Sequence, residues 1–209
     1  MAQDPDWLKP HGQPWKVLTS EVLQDNPWFR VELHRAVAPT GVEADYYMSH
    51  FKNVAVGVLP LFDDGTVCLV GQWRFPFGTY SWEIPEGGVP MSETPLDGAK
   101  RELREEAGLL ASDWREVLTM QLSNASSNEV SICYLAMGLS QAERDLDPTE
   151  ALALERVPFQ EALAAAVAGK IRDSMAVATL LRVHHMAVTG ELPEALRARV
   201  LGREPQGAL

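Results

Sequence analysis

The segment from Gly87 to Leu109 constrains the fold more than any other part of the chain, with the sequence GGVPMSETPLDGAKRELREEAGL. Thr94 is placed to cap a helix, Pro95 suits the first helical position, and Gly108 supplies a left-handed stop. The spacing therefore predicts a helix from about Pro95 to Ala107.

One face of this predicted helix is apolar, because winding it at about 3.6 residues per turn aligns four small or aliphatic side chains: Leu96, Ala99, Leu103 and Ala107. Glu102, Glu105 and Glu106 crowd onto the neighbouring flank, where like charges repel one another. Arg101 can pair with Glu105 but cannot neutralise all three acids. The pattern favours a divalent cation held by oxygen ligands, Mg²⁺ or Mn²⁺, and the alternative is a solvated acidic helix face.

The segment resembles the Nudix box, G-x5-E-x7-R-E-U-x-E-E-x-G-U, where U is apolar. Every fixed position is matched, by Gly87, Glu93, Arg101, Glu102, Leu103, Glu105, Glu106, Gly108 and Leu109. The resemblance implies an α/β/α sandwich with a mixed sheet and a Mg²⁺-dependent pyrophosphohydrolase. It also implies a metal site formed by Glu102, Glu105, Glu106 and the backbone carbonyl of Glu86, with Arg101 among the catalytic residues.

Composition predicts a globular chain and excludes several classes of partner. The 209 residues are 46% hydrophobic and 22% charged, and the longest apolar runs are far shorter than a membrane span. The formal charge of −11 argues against a nucleic-acid surface and against docking on an anionic membrane. The amino terminus lacks the pattern of a secretory signal, so we expect a cytoplasmic protein. Cys68 and Cys133 lack metal-ligand spacing, so we expect buried thiols.

The amino-terminal segment predicts a hairpin or short sheet. Trp15 to Leu23 and Trp28 to Val37 have the composition of strands and are separated by the turn residues Gln24 to Pro27, and Ala44 to Phe51 adds a further strand. The arrangement is similar to that of the ADP-ribose and nucleotide-sugar pyrophosphatase branch of the Nudix family. That resemblance implies an antiparallel dimerisation sheet and a homodimer.

We therefore expect residues 1–52 to form a strand-rich arm and residues 53–209 to form the Nudix domain with carboxy-terminal helices. Trp28 or Phe29 in the arm is a candidate to stack on the substrate base across the dimer. The alternative for these aromatic residues is a place in the core or in the interface.

A second hairpin is predicted from Ala55 to Phe62 and from Thr66 to Trp73, joined by Asp63, Asp64 and Gly65. The run VAVGVLPLF within it is apolar on both faces. Such a strand is typical of the centre of a sheet that is covered on both sides.

The stretch QWRFPFGTYSWEIPEGG, between this hairpin and the box, also resembles the same branch. Arg74 is a candidate to bind a substrate phosphate, because its guanidinium group makes bidentate contacts. Glu83 is a candidate either to accept hydrogen bonds from the nucleotide or to orient Arg74. The alternative is that the two residues pair only with each other.

Beyond the box, Trp114 to Leu122 and Val130 to Met137 are predicted strands that flank the polar loop SNASSNE. Relatives place a glutamate general base in this loop, and Glu129 is the matching residue, with Glu105 as the second candidate. The alternative for Glu129 is an exposed loop acid. Relatives that act on ADP-ribose commonly have a proline where Asn124 and Ala125 stand, which leaves ADP-ribose itself open as the substrate.

The carboxy-terminal part predicts a strand from Leu152 to Val157, followed by helices that cover the sheet: Pro158 to Gly169, Asp173 to Thr189 with Asp173 or Ser174 as cap, and Glu191 to Gly202. Together, these features predict hydrolysis of a nucleoside diphosphate sugar or ADP-ribose to a nucleoside monophosphate and a sugar phosphate. The alternatives are a Nudix hydrolase of a nucleoside triphosphate or dinucleoside polyphosphate, and a non-catalytic nucleotide-sensing module. The complete set of acids argues against the non-catalytic module.

Overall fold

A computed structural model describes residues 5–203, which separate into two units. The first unit contains the residues up to Lys52 together with Ser123–Asn128, and the second contains Asn53–Leu122 and the chain from Glu129 onward. The sequence did not predict that the loop Ser123–Asn128 belongs with the amino-terminal residues. The roles of arm and catalytic domain remain predictions.

The first unit is built on a three-stranded antiparallel sheet, in the order β1-β2-β3: β1 (Lys16–Asp25), β2 (Phe29–Val37) and β3 (Glu43–Phe51). The Asn26 side chain shapes the first turn, because its oxygen accepts hydrogen bonds from the backbone N–H groups of Trp28 and Phe29 at 2.9 and 3.0 Å. The predicted amino-terminal hairpin is thus confirmed. The loop Ser123–Asn128 attaches to β3, where the Ser49 N–H donates to the Ser126 carbonyl at 2.8 Å.

The second unit contains two sheets. The first has the order β7-β4-β9-β8, with β4 and β9 parallel and the other pairs antiparallel, and the second has the antiparallel order β10-β5-β6. Their strands are β4 (Asn53–Pro60), β5 (Thr66–Arg74), β6 (Thr79–Glu83), β7 (Glu86–Pro90), β8 (Leu109–Gln121), β9 (Val130–Gln141) and β10 (Ala153–Pro158).

Helices cover the sheets of the second unit on both sides, with bounds α1 (Pro95–Ala107), α2 (Phe159–Val167), α3 (Ser174–Thr189) and α4 (Glu194–Val200). Val56 and Val58 of β4 pack in one core cluster with α1, whereas Leu59 packs in the other with α2, α3 and α4. This is the predicted α/β/α sandwich with a mixed sheet.

Strand β4 is central, as its apolar sequence predicted, because it lies between β7 and β9 and its Val56, Val58 and Leu59 are fully buried. The predicted hairpin of β4 and β5 is wrong. Asp64 and Gly65 do reverse the chain, but only one bridge, Leu61 to Val67, joins the two segments before they enter different sheets.

Several element bounds differ from the prediction. Strand β8 begins at Leu109, directly after α1, rather than near Trp114, and β9 continues to Gln141. Cys68 and Cys133 are buried and free, as expected. Between residues 5 and 203, no helix has the length and hydropathy needed to cross a membrane.

Candidate active site

Helix α1 begins and ends where its capping residues predict. The Thr94 hydroxyl accepts a hydrogen bond from the Asp97 backbone N–H at 3.2 Å, and Gly108 adopts a left-handed φ of 63°. Ala99 and Leu103 are fully buried on the apolar stripe, which fixes the rotation of the helix about its axis.

Two of the three helix acids are buried, whereas the sequence predicted an acidic flank that presents its charges. Glu102 is 8% exposed and Glu106 is 3% exposed, and Glu105 is half-buried. The carboxylates therefore lie in a place where water screens their charges weakly, which raises the cost of leaving them ionised without a cation.

Gly87 on β7 makes room for one of these acids. A Cβ atom at this position would lie 2.2 Å from the carboxylate of Glu102, too close for any real contact. Gly98 serves the packing of α1 in the same way, since a Cβ there would lie 2.2 Å from a methyl group of Val89. Small residues on both elements thus allow α1 to approach β7 closely.

Arg101 links the box acids to one another. Its Nη1 donates to Glu102 at 2.7 Å and to Glu105 at 3.0 Å, and its Nη2 lies 3.4 Å from Glu93. One guanidinium group therefore serves three carboxylates and holds them in place.

Glu106 lies apart from that network. Its Oε2 accepts a hydrogen bond from the Glu86 backbone N–H at 2.9 Å, and it forms no ion pair with any residue from 5 to 203. Burial raises the pKa of Glu106 to about 8, and burial also raises the pKa of Glu102. A buried carboxylate is costly to ionise without a cation, and a hard divalent ion is one kind of cation that offsets such a charge.

A second group of acids surrounds Arg74. Arg74 Nη2 donates to Glu83 at 2.6 Å and to Glu86 at 2.5 Å, and its Nε also bonds Glu83, at 2.9 Å. The predicted pairing of Arg74 with Glu83 is therefore present, and Glu83 is only 2% exposed. The Glu86 side chain, for which no role was predicted, belongs to the same network.

Asp173 completes this group, and sequence reasoning missed it as a site residue. It caps α3 as predicted, accepting from the Ala176 N–H at 2.6 Å. One carboxylate oxygen each from Asp173, Glu83 and Glu86 lie within 4.8 Å of one another. Burial raises the pKa of Asp173. No local signal relates it to Glu83, because the two residues are far apart in sequence.

In each of these two groups, one arginine pairs with two of the three acids. Arg101 leaves Glu106 without an ion pair, and Arg74 leaves Asp173 without one. Among residues 5–203, only the acids of the second group bring three carboxylate oxygens within 4.8 Å of one another. The predicted metal-binding set, Glu102, Glu105, Glu106 and the Glu86 carbonyl, stays a prediction. Glu86 belongs to both groups, through its backbone and its side chain.

A cavity of about 840 Å³ opens beside this second group of acids. Arg74, Glu83, Glu86 and Asp173 line it, together with Lys170, Arg172 and the aromatic residues Phe77 and Tyr80. Its size falls within the range of about 300–1,000 Å³ typical of small-molecule sites. The second unit alone thus supplies a site with acidic, basic and aromatic walls.

The remaining predicted site residues lie elsewhere in the chain. Trp28 and Phe29 belong to the first unit, where Trp28 is 65% exposed and Phe29 contacts Phe51 with ring centroids 5.7 Å apart. Glu129 belongs to the second unit and is half-buried, just before β9, and burial raises its pKa. Their proposed roles stay predictions.

Comparison with protein families matches two models to the chain. Residues 51–177 match the NUDIX domain, and residues 15–49 match the nucleoside diphosphate sugar hydrolase N-terminal domain.

Two relatives, both named ADP-ribose pyrophosphatase, match this chain over most of their own length. An ADP-ribose pyrophosphatase of Mycobacterium tuberculosis is 30% identical over 193 residues, covering 90% of this chain and 92% of the relative. An ADP-ribose pyrophosphatase of Bacillus subtilis is 31% identical over 147 residues, covering 69% of this chain and 76% of the relative.

A solved structure supports the fold assignment. The crystal structure of an ADP compounds hydrolase superposes with a TM-score of 0.77 at 20% identity, covering 88% of this chain and all of that one. The box residues, the sandwich and the family matches agree, so the chain belongs to the Nudix family and is a Nudix pyrophosphohydrolase.

Proposed function

We propose that the protein is a Mg²⁺-dependent hydrolase of ADP-ribose or a related nucleoside diphosphate sugar. The products are a nucleoside monophosphate and a sugar phosphate. The names of the two relatives and the match of residues 15–49 to the N-terminal domain of nucleoside diphosphate sugar hydrolases support this choice of substrate.

The observation that carries the proposal is the burial of Glu106 without a cation beside Glu102 and Glu105 on α1. We assign Glu102, Glu105, Glu106 and the Glu86 carbonyl as the residues that hold Mg²⁺, with Mn²⁺ as a substitute. When bound, the ion offsets the charge of the diphosphate and lowers the pKa of a coordinated water.

The other assignments concern the protein's own groups. Arg101 orients the carboxylates of Glu102 and Glu105 through the two hydrogen bonds described above. Glu129 takes the proton from the attacking water, and Glu105 is the second candidate for this role. Arg74, oriented by Glu83, contacts the diphosphate from the cavity wall.

We further propose that the first unit forms a homodimer. Strand β1 is exposed along its whole length, and it carries four apolar side chains that are each 45% to 55% exposed: Val17, Leu18, Val22 and Leu23. An exposed apolar edge strand is a surface that proteins normally cover. In the dimer, Trp28 or Phe29 is a candidate to stack on the base of the substrate.

Light scattering tests the homodimer. We expect twice the chain mass for the wild type and a shift toward the monomer for Val22→Lys. Val167→Lys is the control, because Val167 is also exposed (73%) but lies on α2 in the second unit. A stable wild-type monomer at working concentration would refute the proposal.

We also expect the protein to act in the cytoplasm, which fractionation of the source cells tests.

A hydrolysis screen with Mg²⁺ tests the substrate. ADP-ribose, several nucleoside diphosphate sugars, nucleoside triphosphates and dinucleoside polyphosphates are compared by kcat/KM, and the products are identified by mass spectrometry. We expect a nucleoside monophosphate and a sugar phosphate from the preferred substrate. Preferred release of inorganic pyrophosphate from a triphosphate would overturn the proposal.

A further inference from the structure

The connection between α2 and α3 brings two basic residues to the cavity. Lys170 and Arg172 line it, and both are exposed. Among residues 5–203, neither side chain lies within ion-pair distance of a carboxylate. Neither charge is therefore offset by an ion pair within the described residues.

Arg74, the other cation lining the cavity, is in a different state. Glu83 and Glu86 occupy its Nη2 and Nε atoms, and Asp173 lies close enough to act on its charge. Three carboxyl groups therefore surround one guanidinium group in this part of the cavity. A phosphate group placed here would meet acids as well as Arg74.

The two loop cations sit on a backbone that is fixed at both ends. At the first end, the backbone N–H groups of Lys170 and Ile171 donate to the Ala165 carbonyl at 2.9 and 3.2 Å. Ile171 is 4% exposed and anchors the loop in the core, and Asp173 caps α3 immediately afterwards.

Arg172 is oriented further by its own side chain. Its Nε donates to the Gly169 carbonyl at 3.1 Å, which holds the guanidinium group against the loop. A charged group that is held before the ligand arrives loses less conformational entropy on binding than a mobile surface side chain.

We propose that Lys170 and Arg172 bind a phosphate of the substrate and determine its affinity for the cavity. The inference deepens the proposed function and rests on it for the identity of the substrate, a nucleoside diphosphate derivative. Phosphate oxygens accept hydrogen bonds from both ammonium and guanidinium groups, and each such bond is charge-assisted. The bound phosphate is one of the two in the diphosphate, either that of the nucleotide half or that of the sugar half of the ligand.

The test is calorimetric binding with an excess of chelator, so that no hydrolysis occurs. ADP-ribose, AMP and ribose 5-phosphate are titrated into the wild type, Lys170→Gln/Arg172→Gln, and each single variant. We expect the double variant to bind ADP-ribose about 10-fold more weakly or worse, because two charge-assisted contacts are lost. Lys170→Arg/Arg172→Lys, which keeps both charges, should recover most of the affinity.

The product probes identify which phosphate is bound. Weaker binding of AMP in the double variant assigns the cations to the nucleotide half, and weaker binding of ribose 5-phosphate assigns them to the sugar half. Lys100→Gln/Arg203→Gln removes the same net charge from exposed positions that do not line the cavity, and it should bind like the wild type.

Equal affinities of the wild type and Lys170→Gln/Arg172→Gln for all three probes would overturn the inference, as would an equal loss in the control variant. Because the readout is binding without turnover, it is separate from the hydrolysis screen. The two proposals can fail separately. If the wild type prefers a different nucleotide substrate but the double variant still binds the phosphate compounds more weakly, the proposed substrate is refuted and this inference stands.

Discussion

The Glu86 backbone N–H donates a 2.9 Å hydrogen bond to Oε2 of Glu106, while the Glu86 side chain pairs with Arg74. Residue 86 on β7 thus connects the acids of α1 to the walls of the cavity. A change in the charge of Glu106 acts directly on the backbone that carries the proposed metal-binding carbonyl.

The first prediction concerns the pH dependence of stability without metal. Burial raises the pKa of Glu106 from 4.5 to about 8, so the folded chain binds more protons than the unfolded chain between these values. The raised pKa values of Glu86, Glu102 and Asp173 act in the same direction. The free energy of unfolding should therefore fall as the pH rises from 5 through about 8.

Urea unfolding in chelator across this pH range measures the effect. Glu106→Gln should reduce the slope, because the amide does not titrate. Glu161→Gln is the control, since Glu161 is exposed on α2. Stability that increased with pH across the same interval would contradict the assignment of a raised pKa.

The second prediction concerns Gly87→Ala. The new methyl group would lie 2.2 Å from the Glu102 carboxylate, so this side chain must move. We expect a loss of about 1–3 kcal/mol in the free energy of unfolding and weaker binding of Mg²⁺ by calorimetry. Gly88→Ala is the matched control, because its Cβ would lie 3.1 Å from the movable end of Asn53. Equal effects of the two substitutions would show that the lack of space beside Glu102 is not the reason for glycine at position 87.

Much of this site was predictable because its signals are local. Thr94, Pro95 and Gly108 define the ends of α1 within a few residues of sequence, and the spacing of the acids follows from the helix period. Asp173 was not predictable as a neighbour of Glu83, since nothing within α3 identifies what its cap faces.

The fold shows the same limit. Asp64 and Gly65 indicate a chain reversal, and one occurs, but they carry no information about which strands pair beyond the turn. One partner of β4 is β9 and one partner of β5 is β10, and both of these strands lie far along the chain from the turn. The burial of Glu102 and Glu106 likewise depends on how closely β7 approaches α1.

The third prediction separates binding from stability at Arg74. Arg74→Ala leaves Glu83, which is 2% exposed, without its cation, so we expect the free energy of unfolding to fall by up to about 3 kcal/mol and KM to rise. Arg74→Ala/Glu83→Gln should recover part of the stability, because the neutral amide needs no cation whereas Glu86 still lacks its partner, and it should keep the raised KM. Chemical denaturation and steady-state kinetics measure both. A wild-type KM in the double variant would leave Arg74 with a structural role only.

The fourth prediction concerns the proton acceptor. Glu129 lies just before β9 and outside α1, so its loss should spare the metal site. If Glu129 is the general base, Glu129→Gln should lower kcat by about 10²–10⁴-fold while Mg²⁺ affinity stays unchanged. Kinetics at saturating substrate, paired with metal calorimetry, checks both quantities. Turnover at the wild-type rate would move the role to Glu105.

A Mg²⁺ titration of hydrolysis by the wild type and by Glu106→Gln, with Glu161→Gln as control, tests most directly whether Glu106 holds the metal. Glu106 is buried without a cation, so we predict no turnover in excess chelator, a higher Mg²⁺ requirement in Glu106→Gln, and a lower kcat even at saturation. The Glu161→Gln variant should follow the wild-type curve. Full wild-type activity in excess chelator, or an identical Mg²⁺ dependence for Glu106→Gln, would contradict the account.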